Sequence, residues 1–130
     1  MKCRGVRGAT TTDQNTREQI LSRTRELFAK MIDLNDIDPE DVGSVYFTTT
    51  RDLTAEYPAL AVREMGWYDH AFLCGHEMQV PDGLERCIRI LIHWNTTKSL
   101  TEIQHVYMNG AEILRPEHAL GESPISGNQE

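Results

Sequence analysis

The chain has 130 residues, of which 39% are hydrophobic and 25% charged, and its formal net charge is −7. That length gives one domain around one core, and the composition is wrong for a disordered chain. The acidity removes any general attraction for nucleic acid or an anionic membrane, and no stretch reaches the roughly 20 apolar residues that span a bilayer.

Taken in chain order, Lys2 to Arg7 reads as a short first strand ended by Gly8. A long helix follows, with Asn15 as cap and Glu18 three residues on. Ile20, Thr24, Leu27, Phe28 and Met31 recur at helical spacing, which gives one apolar face up to about Leu34. Asn35 to Asp41 is polar, holds Pro39 and reads as a loop. Val42 to Thr50 is rich in β-branched and aromatic residues and predicts a strand. Tyr57-Pro58 opens a short helix that Gly66 stops, and His70 to Cys74 predicts a short strand. Arg86 to Trp94 carries the clearest strand pattern: Ile88, Ile90, Ile92 and Trp94 alternate with Cys87, Arg89, Leu91 and His93. Arg89 therefore points away from the isoleucines. Ser99 to Gln104 predicts one helical turn, and Val106–Met108 with Glu112–Arg115 predicts a hairpin around Asn109-Gly110. The sum is an α+β domain: a mixed β-sheet with helices packed on one face. Residues 121–130 (GESPISGNQE) read as a flexible tail beyond a single domain over 1–120.

Three cysteines, Cys3, Cys74 and Cys87, lack CxxC spacing, and the N-terminus lacks the apolar run of a leader. Reduced thiols and a cytoplasmic location are expected. Covalent catalysis has little support, because Cys74 and His76 are too poor a pair and no GxSxG, P-loop or GxGxxG is present. Cys74, His76 and Glu77, with His70 near, lack a second ligand group at a recognised spacing, so a polar strand end is the plainer reading than a metal site. The arginines carry more information. Only Lys2, Lys30 and Lys98 are lysines, against ten arginines, and guanidinium is suited to gripping carboxylates. Arg7, Arg63, Arg89 and Arg115 lie on or beside predicted elements. Arg89, on the best-packed strand, requires either an internal carboxylate or a ligand; spacing alone does not separate the two.

Arg4 to Thr11 (RGVRGATT), Asp52-Leu53 with Tyr57-Pro58-Ala59, Ala61-Val62-Arg63-Glu64, Glu77-Met78, Cys87-Ile88-Arg89, His105-Val106-Tyr107 and Leu114-Arg115-Pro116 occur in one order. Together they closely resemble the monofunctional AroH-class chorismate mutases, from about Met1 to Leu120. The resemblance implies a barrel-like homotrimer with active sites at subunit interfaces, and rearrangement of chorismate to prephenate without a cofactor. It implies that Arg7, Arg89 and Tyr107 hold the enolpyruvyl side of the substrate, with Arg89 also at the ether oxygen. It also places Glu77 at the ring hydroxyl with Cys74 beside it. Tyr57, Ala59 and Arg63 would come from the adjacent subunit, and Leu73, Leu114 and Arg115 complete the substrate-binding set. Tyr57 stands where the family often has phenylalanine, Leu60 where a lysine is common, and Leu73 where a small polar residue can occur. Without the resemblance, Glu77 is a surface carboxylate at a strand end and Tyr107 a half-buried strand tyrosine. Two other functions stay open at this point. One is a trimeric binding module for an anionic metabolite. The other is an enzyme on the related trimeric fold of the imine deaminases.

Overall fold

In the computed structural model, residues 1–114 are described; Arg115 and the stretches assigned to the end of the domain and to the tail lie outside them. Five strands, β1 (Lys2–Thr11), β2 (Val42–Thr49), β3 (Ala71–His76), β4 (Cys87–Thr96) and β5 (Val106–Tyr107), form one sheet in the order β3-β2-β4-β1-β5. β4 runs antiparallel to both β1 and β2, whereas β3 is parallel to β2 and β5 to β1. The sheet is therefore mixed, as predicted. Helices α1 (Arg17–Asn35) and α2 (Ala59–Arg63) cover one of its faces.

Alternation decides what each face carries. Val6 pairs with Ile92, Gly8 with Ile90, Val45 with Ile92 and Phe47 with Ile90, and paired residues point the same way. These side chains meet Leu27, Phe28 and Met31 of α1 and Val62 of α2 in the main core. All five residues predicted for the apolar face of the long helix, Ile20, Thr24, Leu27, Phe28 and Met31, are buried.

Three local expectations need correction. β1 does not end at Gly8 but pairs with β4 as far as Thr11 and Cys87. Gly8 is there because α1 lies close over the sheet: a Cβ at that position would strike the Met31 sulfur and crowd Leu27. The cap of α1 is Thr16, whose hydroxyl accepts from the Gln19 N–H at 3.2 Å. Asn15 instead accepts from the Thr54 and Ala55 N–H groups and so fixes the loop before α2. Finally, Asn109-Gly110 does not turn a hairpin. Asn109 donates to the Thr10 hydroxyl and the Gly110 N–H donates to the Thr11 hydroxyl. These bonds to β1 draw 109–114 into a 3-10 turn where a strand was expected.

The path into β5 is set by a buried amide. Asn35 donates to the carbonyls of Met31 and Gln104 and accepts from the Gln104 N–H at 2.8 Å. The end of α1 thereby holds the segment that leads to His105 and Tyr107.

Candidate active site

The face of the sheet away from the helices is a grid of side chains in register. One row reads Leu73, Tyr46, Leu91, Arg7, and the next Gly75, Thr48, Arg89, Ala9, Tyr107. Arg7 and Arg89 are thus diagonal neighbours on adjacent strands, a separation of about 7–8 Å along the backbone. Tyr107 flanks the second row from β5. Among the described residues no α-helix covers this side, so Leu73 and Tyr46 are exposed, whereas Tyr107 is buried by Ala9, Cys87 and, from the 3-10 turn, Ala111 and Leu114.

Glu77 follows directly on β3, with its N–H donating to the Thr49 carbonyl at 2.8 Å. Its carboxylate Oε2 accepts from the Thr48 hydroxyl and lies 3.7 Å from the Arg89 Nε. The Arg89 side chain is 43% exposed and that of Glu77 29%. A loose ion pair with this much solvent contact contributes about 0–1 kcal/mol. Among the described residues, Arg89 is therefore neither locked nor spent on this ion pair. Beside it opens a hollow of about 370 Å³ whose rim is the loop from Met78 to Glu85, with Thr50, Arg51 and Asp52 opposite. Arg7 adds a second cationic group to this face. Its Nε is buried with no hydrogen-bond partner among the described residues, and such a group costs about 1–3 kcal/mol until an acceptor arrives. The sequence left two partners open for Arg89. The structure supplies both: a weak carboxylate contact and access to a ligand.

The other expected residues gather elsewhere. Tyr57 and Cys74 line a second hollow of about 410 Å³, with Thr49, Glu56 and His76. Cys74 pairs in register with Phe47 and so lies on the helix side, opposite Arg89. Burial pushes its thiol above the ordinary range, against the smaller opposing effects of the Ala59 N–H and the Arg63 charge. Arg63 stacks over Phe72, 5.8 Å from its centroid, on the same side. Ala59 is buried in the core and meets neither hollow with its side chain. Leu73 is on the Arg89 face, and Leu114 packs in the cluster that buries Tyr107. One chain thus brings together Arg7, Glu77, Arg89 and Tyr107, but leaves Tyr57, Cys74 and Arg63 on the helix side of the sheet. Among the described residues no three His, Cys, Asp or Glu side chains gather as metal ligands. Sequence reading passed over Thr48. Its only signal was the alternation of β2, which puts residues 46 and 48 on the same face.

Comparison with known proteins sharpens these observations. The family model for chorismate mutase type I matches residues 3–118. The chain is 42% identical to chorismate mutase AroH of Bacillus subtilis (strain 168) over 121 residues, 92% of this chain and 95% of that protein. To chorismate mutase AroH of Thermus thermophilus it is 43% identical over 115 residues, 88% of this chain and 94% of that one. Among solved structures, a chorismate mutase from Clostridium thermocellum superposes with a TM-score of 0.83 at 44% identity, covering 85% of this chain and 98% of that chain.

Proposed function

The chain belongs to the chorismate mutase type I family, and from that premise we propose that it rearranges chorismate to prephenate over the open sheet face around Arg89. The observation that carries this reading is the placement of Arg7, Arg89 and Tyr107 on one face of the sheet with Glu77 against Arg89, where Glu77 and Arg89 line a hollow of about 370 Å³.

The reaction is pericyclic. One C–O bond breaks as one C–C bond forms, and no proton, nucleophile or electron carrier takes part. What a protein contributes is shape and charge. Two guanidinium groups grip the carboxylates of a dianion bidentately, and Glu77 accepts from the ring hydroxyl, so the folded diaxial conformer is selected before the bond breaks. As the ether oxygen gains negative charge, Arg89 stabilises the transition state more than the ground state. The weak Arg89–Glu77 contact suits this role, since the incoming substrate displaces little to engage the guanidinium.

We also propose a homotrimer with a barrel-like interior. Two features support it. Exposed Tyr46 and Leu73, with half-buried Leu91 beside them in register, form an apolar strip that another copy would cover. Tyr57 and Arg63 lie on the helix side of the sheet, opposite Arg89, where they suit the wall of a neighbour's cleft better than their own. Covering the floor with a second protomer would also exclude water and strengthen each charge within it. Such an enzyme feeds phenylalanine and tyrosine biosynthesis in the cytoplasm.

The test is direct. Purified protein is mixed with chorismate, the fall of its ultraviolet absorbance is followed, and the product is identified by NMR. Catalysed loss with prephenate as product is expected. Binding without turnover would overturn the reading in favour of a metabolite-binding module.

A further inference from the structure

Two consecutive threonines on β2 hold two consecutive side chains at the end of β3. Thr49 lies on the helix side, with its hydroxyl 3.2 Å from the His76 Nδ1. Thr48 lies on the opposite side, directly across from Arg89 in register, and its hydroxyl donates to the Oε2 of Glu77. The Arg89 Nε approaches that same oxygen. Both side-chain contacts of the carboxylate thus fall on Oε2, which leaves Oε1 without a side-chain partner among the described residues.

We propose that Thr48 is a positioning residue for the reaction, acting through Glu77; the inference rests on the function assigned above. Glu77 stands just past the end of an edge strand, ahead of an exposed loop, and the Thr48 hydroxyl provides the side-chain hydrogen bond that holds it among the described residues. A guanidinium and a carboxylate this close favour two parallel hydrogen bonds. Collapse into that arrangement would occupy both carboxylate oxygens and neutralise the cation that the ether oxygen needs. The Thr48 hydroxyl prevents it by tethering Oε2 from the β2 side. Glu77 then keeps Oε1 for the ring hydroxyl, and Arg89 keeps its terminal nitrogens for the substrate. Thr48 touches no reacting atom.

The experiment compares Thr48→Val, which keeps the branched shape without the hydroxyl, with Thr48→Ser, which keeps the hydroxyl. Thr48→Val should lower kcat/KM by about 10-fold or more, with a clear share in kcat, while Thr48→Ser stays within about threefold of wild type. In a Glu77→Gln background the Thr48→Val penalty should shrink to about twofold or less, because the two residues act as one unit. Crystal structures of wild type and Thr48→Val give a readout independent of turnover, in which the Glu77 carboxylate should swing onto Arg89. An unmoved carboxylate, a Thr48→Val enzyme as fast as wild type, a Thr48→Ser as impaired as Thr48→Val, or a penalty undiminished beside Glu77→Gln would each overturn the proposal. A wild type that leaves chorismate unchanged condemns the assigned function, while the crystal comparison still decides the role of Thr48.

Discussion

The two faces of this sheet are made by the same strands and yet obey different rules. On the helix side, Val6, Val45, Phe47, Ile90 and Ile92 are sealed under α1. On the other side, one residue away along each strand, lie Arg7, Thr48 and Arg89, loosely paired and partly wet. Stability is concentrated on the first face, where burial is complete. The second holds groups whose contacts are incomplete among the described residues, such as the Arg7 Nε, which has no hydrogen-bond partner there. Function here lives where packing stops short.

The sharpest way to break that division is a pair of neighbours. Ile90→Ala should lower unfolding stability by about 2–5 kcal/mol, as read by urea denaturation, with kcat little changed in the fraction that remains folded. Arg89→Ala should do the reverse: near-normal stability, and a kcat loss of about 10²–10³, or roughly 3–4 kcal/mol of barrier. Near-normal turnover in folded Arg89→Ala would end the assignment of that residue. Gly8→Ala tests the sealed face from above. The added methyl meets the Met31 sulfur, and such overpacking costs about 1–3 kcal/mol; an unchanged melting temperature would mean that α1 moves away freely.

The smallest expected effect compares the two faces through their thiols. Burial raises the Cys74 thiol on the helix side and, more deeply enclosed, the Cys87 thiol on the other, where the nearby Arg89 charge opposes the shift only in part. A folded-state value above the unfolded one means the associated stability is complete below the usual thiol range near pH 8.5 and declines as pH rises through the folded value. Melting temperature should therefore fall above about pH 8.5, and Cys87→Ala should flatten that fall. An identical alkaline slope in the variant would show that other groups govern it.

Much of this division was readable in advance wherever a side-chain period was clean. Alternation along Cys87 to Trp94 separates the isoleucines from Arg89, and the register with β1 and β2 bears that out. The apolar face of the long helix was equally plain. What escaped depends on partners distant in sequence. Asn109-Gly110 looks like a hairpin turn locally, but Thr10 and Thr11 on β1 take up its donors. Asn15 looks like a cap, but its side chain is engaged by Thr54 and Ala55. In the same way, its place on the best-patterned strand singled out Arg89 as a residue in need of a partner. Only the pairing of β2 with β4 sets Thr48 opposite it, and only the fold shows that Cys74 points to the other side.

The edge strand β3 has a genetic consequence. The Arg63 group packs on its helix face and the Arg89 group belongs to the opposite one, so in the proposed ring each cleft draws one group from each of two neighbours. A cell carrying two defective alleles, one Arg63→Ala and one Arg89→Ala, would then regain growth without added phenylalanine and tyrosine. In every mixed ring about one seam in three joins an undamaged wall to an undamaged floor. Two alleles altered at Arg89 and Glu77 damage the same floor, so they would not rescue each other.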